Sequence, residues 1–216
     1  EILSNVLPIL DNEITFENKL ESKNYNIIEK YKPDIQSNTE KAHNTEGRIL
    51  TIKLQFNNKE IIIVGTYVPN SGSDRIEPLK RLGYRISSWD KDIYNYLLDL
   101  HKKYENIIWT GDLNVTIKDN DLLNVKANVA GTTTEERHNI NSFLEQSSWI
   151  DTWELCNPSK NKCKERATWG MKSSFPMRLD YVICSPSLKD NCVSSFNDQK
   201  YDGSDHIPIG VKVLII

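Results

Sequence analysis

Asn106-Ile107-Ile108-Trp109-Thr110-Gly111-Asp112-Leu113-Asn114 joins an apolar run to a glycine, then to a carboxylate and an amide. The run reads as a strand, and a strand delivers the polar residues that follow it to the edge of its sheet. The design recurs upstream. Glu60-Ile61-Ile62-Ile63-Val64-Gly65-Thr66-Tyr67 is apolar enough to be a central strand, and it runs into Val68-Pro69-Asn70. Before it, Ile49, Thr51, Lys53 and Gln55 alternate against Leu50, Ile52, Leu54 and Phe56, and Asn57-Asn58-Lys59 supplies the turn. Between the two central strands, a loop over 69–83 is punctuated by Pro69, Gly72 and Pro78. A helix follows, with Trp89, Ile93, Tyr96, Leu97, Leu100 and Tyr104 at helical spacing.

Downstream, Thr133-Thr134-Glu135-Glu136 is a capping box that opens a second helix, whose Phe143 and Leu144 face the core. Residues 149–155 and Thr168-Trp169 read as short strands or turns, 179–184 as a strand, and 206–216 as the strand that closes the sheet. Hairpins alternate with strand–helix–strand crossovers, and an α/β sandwich of two sheets flanked by helices accommodates both. Residues 1–216 fit one domain. Ile2-Leu3 and Val6-Leu7 suggest an opening strand, and 11–45, rich in Asn, Lys and Glu, reads as a surface insertion. Glu1 stands where an initiator Met would, so the expectation is an N-terminally truncated piece with its first strands missing.

Composition narrows the classes. No apolar run approaches the roughly 18 residues of a membrane helix, so no membrane role is expected. The net charge is −3, which gives no global basic field for nucleic acid; local cations would have to supply it. Candidates are Lys80, Arg81 and Arg85, then Lys160, Lys162, Lys164 and Arg166, with solvated loop charges as the plain alternative. Cys156, Cys163, Cys184 and Cys192 lack Cys-x-x-Cys spacing and read as free thiols of an intracellular protein. A bridge between Cys156 and Cys163 across a turn is the alternative.

Three short clusters carry the chemistry: Gly111-Asp112-Leu113-Asn114, Arg178-Leu179-Asp180-Tyr181 and Ser204-Asp205-His206. In a strand, Asp112 and Asn114 would share one face. A carboxylate can take a proton from water, and an amide can donate to phosphoryl oxygens. Taken alone, Asp-x-Asn is more often a turn bonded to its own backbone. Asp180 sits in an otherwise apolar strand, so it needs a partner, and His206 is the obvious one. Tyr67 and Asn70 lie at another strand end, where both could bond a phosphate or simply cap a turn. His43, His101 and His138 receive no role.

The order of these clusters resembles the exonuclease III family of AP endonucleases, within the endonuclease/exonuclease/phosphatase superfamily. The resemblance covers Glu46 to the last residue. It rests on Gly-Thr-Tyr67-Val-Pro-Asn70-Ser-Gly, Tyr84-Arg85 before Trp89-Asp90, Gly-Asp112-Leu-Asn114-Val, Arg-Leu-Asp180-Tyr and Gly-Ser-Asp205-His206-x-Pro-Ile. Asp121-Leu122-Leu123-Asn124 and the stretch Ala130 to Arg137 agree as well.

The resemblance implies a four-layer α/β sandwich of the deoxyribonuclease I type. It also implies Mg2+ or Mn2+ as cofactor and double-stranded DNA with abasic sites as partner, cut by a monomer. Asp112 would activate the attacking water, Asn114 and Tyr67 would steady the phosphate, and Asp180 would align His206 on a phosphoryl oxygen. Asp205 would assist the metal or leaving group, with Asp112 as a second metal contact. Asn70 and Asn128 would touch DNA, and Trp169, Met177 and Leu179 would line the pocket for a flipped abasic sugar.

The chain departs from the family pattern in two places. The family's metal-binding Glu, in a Leu-Gln-Glu-like strand, and an earlier Asn have no counterpart here, since Gln36 and Glu40 lie in the wrong context. The stretch from Trp169 to Arg178 is short, and Met177 replaces a common aromatic. The alternatives are another phosphoesterase of the superfamily, such as a nonspecific or retroelement endonuclease or an inositol phosphatase, or a DNA-binding relative without turnover.

Overall fold

The computed structural model describes residues 47–56, 59–72, 76–123, 129–201 and 203–214, together with the backbone of a strand at Asn26–Tyr31. That strand, β1, is followed by β2 (Ile49–Phe56) and β3 (Lys59–Tyr67), two apolar segments in antiparallel register from Ile49↔Thr66 to Phe56↔Lys59. A turn at Leu82–Tyr84 and a π-turn at Arg85–Trp89 feed helix α1 (Asp90–His101), which returns the chain to β4 (Asn106–Asp112). The crossover makes β4 parallel to β3, with Ile61 level with Asn106 and Tyr67 level with Asp112.

Helix α2 (Thr134–Ser147) starts at the expected box: Thr133 accepts from Glu136 N, and the Glu136 side chain reaches back. It ends at Ser148 in the left-handed region. The short strand β5 (Ile150–Asp151) follows, then the helices α3 (Thr152–Cys156) and α4 (Cys163–Arg166). The strand β6 (Asp180–Cys184) enters the sheet antiparallel to β4 and β5, and β7 (Cys192–Asn197) pairs with β8 (Ile209–Val213). The result is a mixed six-stranded sheet, ordered β1-β2-β3-β4-β6-β5, and a separate two-stranded sheet, β7-β8.

One face of the large sheet carries Ile62 and Val64 of β3, Ile107 and Trp109 of β4, and Tyr181 and Ile183 of β6, alternate residues as the pleat demands. Ile93 and Leu97 of α1 and Ile140 and Phe143 of α2 cover them. Trp109 is 1% exposed, meets Phe143 edge-on at 5.9 Å and donates its Nε1 to Thr66 Oγ1 at 2.9 Å. Tyr94 stacks on Phe143 at 4.6 Å. Among the described residues, no helix is long and apolar enough to cross a membrane.

Several expectations need correction. Part of the stretch read as a surface insertion, Asn26–Tyr31, is an edge strand on β2; the rest of 11–45, like the opening strand near Ile2, lies outside the described residues. The last strand pairs with β7 in the second sheet and does not close the first. Residues 152–156 are helical, because Asp151 caps them by accepting from Trp153 N at 3.0 Å. Arg85 and Arg166, read as cations of a surface patch, are 2% and 0% exposed and belong to buried ion pairs. The cysteines are free, but the neighbouring sulfurs are those of Cys184 and Cys192, 3.8 Å apart, and Cys163 instead contacts Pro176 O.

Because Trp109 ties β4 to both covering helices and to β3, Trp109→Ala is expected to lower unfolding free energy by about 3–5 kcal/mol. The measurement is the urea midpoint at unchanged m-value. A loss below about 1 kcal/mol would show that this cluster is not the packing centre.

Candidate active site

Three strand ends form one row across the sheet. Parallel pairing sets Tyr67 of β3 level with Asp112 of β4, and antiparallel pairing sets Asp112 opposite Asp180 of β6. Neighbouring strands lie about 4.8 Å apart, so three residues distant in sequence fall within about 10 Å. Gly111 permits the approach: at φ +138° its absent Cβ would lie 1.9 Å from the Thr66 carbonyl oxygen, so any other residue would push β4 away from β3.

β4 ends at Asp112, and Asn114 adopts φ +47°, which an Asn tolerates. A turn, not the alternation of a strand, therefore brings the two side chains together. Asp112 Oδ1 accepts Asn114 N at 2.9 Å, and Oδ2 accepts Asn114 Nδ2 at 3.0 Å. The same amide donates to Val68 O at 2.8 Å, and its Oδ1 accepts Asn70 Nδ2 at 3.0 Å. The turn reading is realised, and Asn114, 5% exposed, fixes both oxygens of Asp112 and ties them to the Asn70 loop.

Three residues outside the expected catalytic and DNA-contacting set hold the segments that carry these side chains. The Arg85 guanidinium, paired with Asp90 at 2.6 Å, donates to Leu113 O at 2.9 Å, Pro69 O at 3.1 Å and Asn114 O at 3.4 Å. The fully buried Glu136 accepts from Ser71 Oγ, from Gly131 N at 2.9 Å and from Thr133 Oγ1 at 2.8 Å, joining the Asn70 loop to the start of α2. Thr168 accepts from Leu179 N and Asp180 N, both at 3.0 Å, and donates to Asp180 Oδ2 at 2.6 Å. Glu136 is legible in the sequence as the acid of the capping box, whereas Arg85 and Thr168 carry no local pattern that names their partners.

His206 joins the row from the segment just before the last strand. Its backbone pairs with Trp169, and its Nδ1 lies 2.8 Å from Asp180 Oδ2, the partnership expected for that isolated carboxylate. Asp205 is exposed, accepting from Trp169 Nε1 at 3.1 Å and from Ser204 Oγ at 3.3 Å. Trp169 and Met177 pair backbone to backbone and are partly exposed, whereas Leu179 is 6% exposed. Asn128 lies outside the described residues.

Charge is unevenly compensated. Burial, then the facing Asp180, pushes the Asp112 carboxyl from 3.8 up to about 7, against the opposing pull of the Asn114 backbone bond, His206 and Arg85. Burial lowers His206, but its bond to Asp180 and the surrounding carboxylates outweigh that and raise it to about 9. The Trp169 bond holds Asp205 below the usual carboxylate range. Two carboxylates face each other beside one imidazolium, and oxygen donors of this kind suit a hard divalent cation that keeps much of its water. Among the described residues, no three His, Cys, Asp or Glu side chains gather closely enough to hold a metal by themselves.

In metal-free buffer, the His206 ring should therefore titrate near 9 in an NMR pH series. Its folded value lies above the ordinary 6.5 of a histidine, so the stability it lends is complete below 6.5 and is lost as pH rises through about 9. Asp180→Asn should bring the titration down; an unchanged value would show that Asp180 does not set it.

Comparison with known proteins finds relatives of the chain. A DNA-(apurinic or apyrimidinic site) endonuclease of Dictyostelium discoideum is 39% identical over 177 residues, 79% of this chain and 46% of that protein. An exodeoxyribonuclease of Bacillus subtilis (strain 168) is 32% identical over 174 residues, 77% of this chain and 64% of its own. The chain thus spans roughly half to under two thirds of these relatives' length. Among solved structures, the AP endonuclease LMAP from Leishmania major superposes with a TM-score of 0.67 at 29% identity, covering 76% of this chain and 54% of that one. The sequence profile of the Endonuclease/Exonuclease/phosphatase family matches residues 41–206, a span that takes in the whole Tyr67–Asp112–Asp180–His206 row. By this match and the α/β layering it shares with LMAP, the chain belongs to the Endonuclease/Exonuclease/phosphatase family.

Proposed function

We propose that the protein is a divalent-metal-dependent DNA phosphodiesterase that hydrolyses the backbone 5′ to abasic sites, with 3′–5′ exonuclease or 3′ phosphodiesterase activity at strand ends. The observation that carries this reading is the placement of Asp112 opposite Asp180 with His206 bonded to Asp180, one carboxylate left for water and one committed to an imidazole. Two relatives whose names specify abasic-site endonuclease and exodeoxyribonuclease activity support the substrate class.

The residues then divide the work. Asp112, its oxygens directed by Asn114, orients the attacking water and accepts its proton. The Tyr67 phenol, on a residue 47% exposed at the end of β3, donates to the phosphate as charge builds on its oxygens. Asn114, whose two amide protons are held by Val68 O and Asp112 Oδ2, steadies the phosphate indirectly by fixing Asp112 and the Asn70 loop. His206, held by Asp180, donates to a second phosphoryl oxygen. Asn70 and Asn128 contact the DNA backbone, and Trp169, Met177 and Leu179 border the abasic sugar. Asp205 and Asp112 would hold Mg2+ or Mn2+, which neutralises phosphate charge and stabilises the leaving oxygen. We further infer that the enzyme works as an intracellular monomer on double-stranded DNA.

The lack of a three-group metal cluster among the described residues favours one second reading, a DNA-binding relative without turnover. An incision assay of the full protein on a duplex bearing one tetrahydrofuran abasic mimic separates the two. The proposal expects cleavage of the abasic strand with Mg2+ and none with EDTA. Binding without cleavage supports the second reading, and equal cutting of undamaged duplex points to a nonspecific nuclease. Asp112→Asn and His206→Asn should each lower the turnover rate by about a hundredfold or more, measured at a temperature well below the unfolding transition of each variant.

A further inference from the structure

The Tyr67 phenol is 47% exposed, and such a side chain at a strand end ordinarily samples several rotamers. Here a cation covers one face of its ring. Arg48 immediately precedes β2, and its guanidinium carbon lies 4.9 Å from the Tyr67 ring centroid. Two further bonds make the contact a clamp: Tyr67 N donates to Arg48 O at 2.9 Å, and Arg48 Nη1 donates to Tyr67 O at 3.2 Å. On its other side Tyr67 is level with Asp112 of β4, so Arg48 braces the site row from the β2 edge.

We propose that Arg48 is a positioning residue for phosphodiester hydrolysis, acting through Tyr67; this rests on the reading above that the phenol donates to the scissile phosphate. Two physical effects converge. A guanidinium lying over the ring restricts its rotation, so less freedom is lost when the phosphate is engaged. Positive charge beside the ring also makes the phenolic O–H a stronger donor, which matters most as negative charge accumulates on the phosphoryl oxygens. Both favour the transition state over bound substrate, so removing Arg48 should lower kcat more than it raises KM.

An independent role is conceivable on charge alone: a rim guanidinium could contact a different DNA phosphate and contribute only to affinity. The two roles differ in what a double-mutant cycle reads. Single-turnover incision of the tetrahydrofuran duplex is measured for wild type, Arg48→Ala, Tyr67→Phe and the double variant, with the urea midpoint of each recorded. Arg48→Ala is expected to lower kcat about threefold to fivefold, the range of an exposed cation–π contact. In the Tyr67→Phe background the same change should cost less than about 1.5-fold in kcat, because the hydroxyl it serves is gone.

Independent multiplication of the two effects would overturn the proposal. So would an Arg48→Ala phenotype confined to KM, with the salt slope of DNA affinity reduced by about one unit, which is the mark of a separate phosphate contact. If Tyr67→Phe alone leaves kcat unchanged, the assignment of Tyr67 to the site fails, a result distinct from failure of the clamp.

Discussion

The antiparallel pairing of β6 on β4 is the constraint on which the site depends. Asp180 lies opposite Asp112 only in this register, and a slip of one residue would send every β6 side chain to the other face. Several features pin it. Leu113 N donates to Leu179 O at 2.8 Å just beyond the ladder, and Tyr181 and Ile183 pack in the same core face as Trp109. Arg178, two residues before Asp180, is 2% exposed and grips Asp151 with two bonds of 2.7 and 2.6 Å.

Behind that grip lies a buried ionic cluster. Arg166 donates to Asp121 at 2.9 and 2.6 Å and also to Glu154, while Tyr181 donates to Asp121 Oδ2 at 3.2 Å. Arg178 N donates to Asp121 O at 2.7 Å. Buried ion pairs add little net stability over apolar packing, but they tolerate few arrangements, since each charge must keep its partner. Their value here is geometric. They fix where β6 begins, and therefore where Asp180 sits. Glu136 and Arg85 do the same for the loops that carry Asn70 and Asn114.

Much of this was legible in the sequence because the strands are apolar and end in polar clusters. The 60–67 and 106–110 runs announced β3 and β4, and Asp180 within an apolar strand demanded the partner it has in His206. What escaped is set by tertiary context. Arg85 and Arg166 look like surface cations until their carboxylate partners, Asp90 and Asp121, are seen to be buried beside them. Residues 152–156 carry too short a pattern to show helical period, and the cap on Asp151 decides their conformation. The Asp112–Asn114 contact was anticipated for the wrong reason, since a left-handed turn and not strand alternation makes it. Thr168 carries no pattern of its own, and only its three bonds around Asp180 show its place.

The central claim is that the β4–β6 register builds one phosphate site from residues far apart in the chain. A crystal structure of the full protein with an uncleaved abasic duplex, held by Ca2+ in place of the catalytic ion, tests it most directly. The account predicts a single DNA phosphate within hydrogen-bond reach of both the Tyr67 phenol and the Nε2 edge of His206, with the Asp180–His206 bond retained. A phosphate seated elsewhere, or Asp112 and Asp180 no longer facing each other across β4 and β6, would contradict it.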